Sequence, residues 1–100
     1  MKSALAIQCL PLAGGDKHQH YALVDRAIEA IASSGLPYTV GPMETVIEGD
    51  VEQLFDVARK AHTAILEGGA QSVATYMKLF SSPTLGSSEE KVRKYRDRGH

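Results

Sequence analysis

The segment Gly41-Pro42-Met43-Glu44-Thr45-Val46-Ile47-Glu48-Gly49-Asp50 sets a hydroxyl and two carboxylates inside an otherwise apolar, extended run. Polar groups in such a run cost free energy unless they find partners, which makes this the first place to look for a site. Glu44 and Glu48 have the same strand parity and Thr45 the opposite one. The plain alternative is therefore two carboxylates on a solvated strand face, with Thr45 a β-branched filler on the other. Elsewhere the chemistry is thinner. His18 and His20 form an HxH pair, two nitrogen ligands without the third that a closed metal site needs. Gly14-Gly15 lacks the lysine and hydroxyl ending of a phosphate loop and reads as a turn. Cys9 has no neighbouring histidine or basic residue in sequence to activate it and reads as a small core residue. His62 falls beside an apolar helical stripe and reads as a boundary histidine.

These groups need elements to position them. From Ser3 to Leu10, Leu5, Ile7 and Cys9 alternate with Ala4, Ala6 and Gln8, the period of a strand buried on one face, and Pro11 is expected to end it. Tyr21, Val24, Ala27, Ile28 and Ile31 then recur at helical spacing until Gly35. Two short extended runs, 37–40 and 43–48, flank Gly41-Pro42 as a hairpin. Asp50 with Gln53 forms a capping-box pattern ahead of a second helix carrying Val51, Leu54, Val57, Ala58, Ala61 and Ile65, closed by Gly68-Gly69. Alternation returns from Ser72 to Leu79 as a last strand. The order βαββαβ predicts an α+β, ferredoxin-like sandwich over residues 1–82: a four-stranded antiparallel sheet with both helices on one face. Residues 83–100 are expected to form a basic helical tail, with Ser87 and Glu90 as its capping pair. The second sheet face, with Ala4, Ala6, Gln8, Ala74 and Tyr76, is left to pair with another sheet or to hold a ligand.

Length and charge narrow the function. A chain of 100 residues is one domain, and a domain that small gains from subunit contacts. The formal charge is −1, spread as six basic and eleven acidic residues up to position 90 and five basic and one acidic after it. An acidic body gives no electrostatic reason to seek nucleic acid or an anionic membrane. The central strands also lack the aromatics that stack RNA bases, and residues 11–19 lack the arginine of an acylphosphatase-like phosphate loop. No apolar run approaches a bilayer span, and one cysteine excludes an internal disulfide framework, so a cytoplasmic protein is expected.

The chain resembles the small thiamine-binding proteins of the YkoF-like type over about residues 4–95. The resemblance rests on Ile7-Gln8-Cys9-Leu10-Pro11, the Ile31 to Gly35 helix end before Pro37-Tyr38-Thr39-Val40, Ala61-His62, and above all the Pro42-Met43-x-Thr45-x-x-Glu48 core. It implies a ferredoxin-like subunit, dimers joined into a tetramer through their sheets, and binding of thiamine or its hydroxymethylpyrimidine portion without a reaction. Thiamine joins a hydrogen-bonding aminopyrimidine to a cationic thiazolium, so its site calls for a carboxylate, neutral polar groups and an aromatic or thioether wall. Glu48 would then accept from the aminopyrimidine, Thr45 and Gln8 would fix its edge, and Tyr38 or Met43 would cover a ring face. No cofactor and no metal are expected.

Two other readings compete. One is an oligomeric scaffold or regulatory module whose sheet face exists only to pair subunits. The other is a hydrolase using Glu48 with His62, which is disfavoured because His62 sits on a helix packed on the opposite side of the sheet.

Overall fold

The computed structural model describes residues 2–12 and 16–83; the expected C-terminal helix of the basic tail falls on positions 84–100, outside the described residues. The elements are β1 (Lys2–Leu12), α1 (Lys17–Ala32), β2 (Tyr38–Val40), β3 (Thr45–Gly49), α2 (Val51–Glu67) and β4 (Ser72–Ser82). They form one four-stranded sheet in the order β2-β3-β1-β4, antiparallel at every pairing.

The period of two along β1 sets the layers. Ser3, Leu5 and Ile7 are buried, while Ala4, Ala6 and Gln8 between them are only partly so. Register carries this parity outward: Ile7 pairs with Thr45 and Leu5 with Ile47, and both β3 residues are buried as well. The helices lie over this face. α2 contributes Leu54, Val57, Ala58, Ala61 and Ile65, and α1 contributes Ala27 and Ile31, to one core with Leu5, Ile7 and Ile47. Fully burying a side chain the size of Leu or Ile is worth about 1.5–3 kcal/mol, so these few residues dominate the stability. Alanines on both helices keep their axes close, and Arg26 Nε on α1 donates to the Ala64 carbonyl on α2 at 3.0 Å.

The helix ends are chemically specified. Asp16 and Gln19 cap α1 reciprocally, Gln19 N–H donating to Asp16 Oδ1 at 2.9 Å and Asp16 N–H donating to Gln19 Oε1 at 3.1 Å. At α2 the Asp50 N–H donates to Gln53 Oε1 at 3.0 Å. Beyond the ends of the helices Gly35 and Gly69 adopt φ of +78° and +107°, the left-handed region glycine tolerates best.

Several boundaries differ from the periodicity; β3, for one, begins at Thr45 and not at Met43. β1 does not stop at Pro11 but runs to Leu12, with Pro11 opposite Val73. Among the described residues only β4 pairs with β1 past Ile7, so on its other side the Pro11 position carries no ladder bond there, and a residue without N–H is tolerated. β4 in turn extends past Leu79 to Ser82 because it pairs with β1 residue for residue as far as Lys2. The far end of this ladder is closed by the buried Ser3 hydroxyl, 2.6 Å from Ser81 Oγ.

Opposite the helices, β1, β3 and β4 present Ala4, Ala6, Gln8, Val46, Glu48, Tyr76, Lys78 and Phe80 by register, with Tyr76 and Phe80 well exposed. Because Leu54 is fully buried at the centre of the core, Leu54→Ala should lower unfolding free energy by about 2–5 kcal/mol, read as a drop in the urea midpoint at unchanged slope.

Candidate functional site

The apolar stripe of α1 is deeper at its C-terminal end than at its start. Ala27 and Ile31 are buried, Val24 and Ile28 half-buried and Tyr21 exposed. The helix therefore draws away from the sheet toward its N-terminus, leaving a cavity of about 230 Å³ between α1, the end of β1 and the β2–β3 turn. Its interior is apolar, with Ile7, Val24, Ala27, Ile28 and Ile31 joined by the Cys9 thiol. Gln8, Leu10, Val40 and Thr45 complete the sheet side, and His20, Tyr21, Pro42, Met43 and Glu44 stand around it.

The turn that closes one side depends on a glycine. Gly41 N–H donates to the Glu44 carbonyl at 3.0 Å, and a Cβ on residue 41 would sit 2.8 Å from that same oxygen. Only glycine fits without displacing the turn. The reversal holds Met43 with its side chain in the open, 73% exposed, across from the His20 and Tyr21 rings, which meet edge to face at 6.2 Å and 75°. Thioether and aromatic surfaces on two sides of an apolar pit suit a flat ring.

Polar groups are few. Thr45 is buried in the wall, and Glu44 supplies a carboxylate whose Oε1 lies 3.3 Å from Lys78 Nζ. Of the residues read from sequence as a site, Gln8, Met43 and Thr45 line this cavity. Tyr38 and Glu48 are not among its walls. Tyr38 pairs with Ile47 on the short strand β2, and Glu48 pairs with Ala4 on the open sheet face, so strand parity separates Glu48 from Thr45 within one subunit. Glu44, assigned from sequence to a solvated face, is the one acidic residue among the described residues lining the cavity, although its carboxylate pairs with Lys78 of the open face, and Tyr21, assigned to the helix stripe, is the tyrosine among them. The signal for Tyr21 was present in its position as the first member of the α1 stripe, where a helix is free to leave its sheet.

Behind the cavity stands a hydrogen-bonded chain. The Thr75 hydroxyl donates to Cys9 Sγ at 3.6 Å, across the Cys9–Thr75 pair of β1 and β4, and His62 Nδ1 lies 2.7 Å from Thr75 Oγ1. With the Thr75 proton directed at sulfur, His62 Nδ1–H is the donor to Thr75. His62 is thus a boundary residue with a specific partner. Burial pushes the Cys9 thiol up from its ordinary value, partly offset by the Thr75 hydrogen bond. The HxH pair lies on α1, where residues two apart do not face each other. No group of three or more metal-ligating side chains occurs among the described residues.

Comparison with known proteins gives the family. A family model described as thiamine-binding protein matches residues 5–96. A UPF0045 protein of Clostridium perfringens is 35% identical over 92 residues, covering 92% of this chain and 95% of that one. A domain of unknown function from Bacillus cereus superposes with a TM-score of 0.83 at 38% identity, over 97% of this chain and 92% of the other. A proposed thiamine biosynthesis/salvage protein from Thermotoga maritima gives a TM-score of 0.81 at 30% identity, over 96% and 100%.

A thiol held up by burial is protonated at neutral pH and reacts slowly. Iodoacetamide at pH 8 should therefore alkylate folded Cys9 about tenfold more slowly than the urea-unfolded chain, with the midpoint of the pH–rate curve displaced upward. Thr75→Val removes the hydrogen bond that favours thiolate and should slow the reaction further.

Proposed function

The chain belongs to the thiamine-binding protein family, and from that premise we propose that it binds thiamine or its hydroxymethylpyrimidine portion, without catalysis, in the cavity between α1 and the β2–β3 turn. The observation that carries this reading is the composition of the cavity: an apolar pit walled by Met43 and Tyr21, with the buried Thr45 and one acidic residue, Glu44, among its described residues. At about 230 Å³ it falls below the usual range for drug-sized ligands, so one ring is enclosed and a second reaches the opening. The aminopyrimidine would enter, its edge meeting the Thr45 hydroxyl. The thiazolium would stay outside, between the Glu44 carboxylate and the Tyr21 face, where a cation gains from both charge and ring quadrupole. Such a binder acts as carrier, buffer or transport accessory and calls for no cofactor.

The subunit reads as ferredoxin-like, since the strand order β2-β3-β1-β4 with antiparallel pairing is the order that a split βαβ arrangement requires. We take its assembly as a homodimer or homotetramer through the open sheet face, where small Ala4, Ala6 and Ala74 lie beside exposed Tyr76 and Phe80. No helix among the described residues is long and apolar enough to cross a membrane, and a cytoplasmic location agrees with the single cysteine.

Titration calorimetry with thiamine and with hydroxymethylpyrimidine tests the reading. Glu44→Gln should weaken thiamine about three- to tenfold, a charge-assisted contact discounted for its exposure, and Thr45→Val about fivefold. Glu48→Gln, on the other face, should change affinity by less than about twofold. Failure of the wild type to bind either compound would reject the proposal, and a larger loss from Glu48 than from Glu44 would move the site to the sheet face. In sedimentation, a species larger than the 10.8 kDa chain is expected; a monomer at micromolar concentration would reject the assembly.

A further inference from the structure

Glu44 stands at the border of two surfaces. It lines the cavity, yet its Oε1 is paired at 3.3 Å with Lys78 Nζ, and Lys78 is not a wall of that cavity. Lys78 stands on β4, separated from β3 by β1. From β4 to β3 is about 10 Å at ordinary strand spacing, so the lysine stem must lie across β1 to arrive. Its own partner on β1 is Ala6, and because Glu44 precedes Thr45, the partner of Ile7, the path runs from Ala6 toward the level of Gln8 on the same face. The Ala6 methyl leaves the start of that path open, where a larger side chain would stand in it.

The pair is wet, with Lys78 77% and Glu44 36% exposed, so it adds little to stability and opens easily. Its effect is on charge. Glu44 is the one acidic residue among the cavity's described walls, and no lysine or arginine is among them. While Lys78 is bound, that charge is neutralised by a cation anchored outside.

We propose that Lys78 is a tethered counter-ion which an organic cation must displace from Glu44, so that it sets the cavity's preference between cationic and neutral heteroaromatic ligands. This rests on the reading of the cavity as the ligand site. A bare carboxylate would attract any amine; a carboxylate already paired yields only to a cation whose flat body is also buried among Met43, Tyr21 and the apolar interior. Lys78 is therefore a specificity residue that touches the ligand's partner and not the ligand.

The test compares Lys78→Met and Lys78→Arg in the wild-type and Glu44→Gln backgrounds. The probes are thiamine, a permanent cation, against hydroxymethylpyrimidine, and 1-methylnicotinamide against nicotinamide as a cation and a neutral of similar size. Lys78→Met should tighten both cations about two- to fivefold at low salt, an advantage that fades toward about 0.5 M salt, while the neutral probes change by less than about twofold. Lys78→Arg should keep the wild-type selectivity, and in the Glu44→Gln background Lys78→Met should have no effect. An unchanged ratio of cation to neutral affinity overturns the proposal, as does weaker cation binding by Lys78→Met, which would mean that Lys78 only holds Glu44 in place. A selectivity change that appears solely with altered sedimentation overturns it too. If the wild type binds neither thiamine nor the pyrimidine but Lys78→Met still favours 1-methylnicotinamide over nicotinamide, the thiamine reading falls and the role of Lys78 stands.

Discussion

Burial of Leu5, Ile7 and Ile47 beneath Leu54 and Ile65 decides which face of each strand is dry, and the two-residue period of a strand then decides the rest. Once Leu5 and Ile47 face the helices, their register pairing sends Thr45 inward with Ile7 and Glu48 outward with Ala4. A slip of one residue between β1 and β3 would exchange those two groups and expose the core, so the placement of the polar side chains is secured by hydrophobic burial. Cys9 inherits the same inward parity, which is why it meets the Thr75 hydroxyl and the cavity together.

The cavity exists because the two helices share the sheet unequally. α2 buries five side chains along its length, whereas α1 buries only Ala27 and Ile31 and leaves Tyr21 in the open. An apolar stripe that continues past its covered part must meet something other than the sheet, and here it meets the β2–β3 turn. Holding the start of α1 away from the sheet without fraying it falls to the Asp16–Gln19 capping box, which satisfies backbone donors the sheet does not reach.

Much of this was legible in sequence because it depends on local pattern. The alternation of β1, the α2 stripe and the presence of a reversal after Val40 all read correctly, since neighbours a few residues apart determine them, although the reversal takes in Met43 and Glu44 as well as Gly41-Pro42. The reciprocal cap at Asp16 and Gln19 was equally visible, being the same spacing as Asp50 and Gln53, but the glycine pair before it drew the segment into a loop reading. The end of β1 was misplaced for a different reason. Whether a proline stops a strand depends on which edge is paired, and pairing is a long-range property.

The cavity was harder to read because its walls come from three distant parts of the chain, and its acidic residue was chosen by a turn and not by a strand. Glu44 and Glu48 have equal parity, and within a continuous strand nothing would distinguish them. β3, however, begins at Thr45, so Glu44 lies in the Gly41–Glu44 reversal, where strand alternation no longer dictates direction. The strand starts two residues later than the extended run read from sequence, which leaves Glu44 in the turn at the edge of the cavity, its carboxylate on Lys78 of the open face, while Glu48 stays within the ladder on that open face. Parity arguments hold only where the ladder holds. At the rim of a sheet, where binding groups must leave the ladder to converge, the geometry of the turn takes over, and residue type and spacing alone do not reveal it.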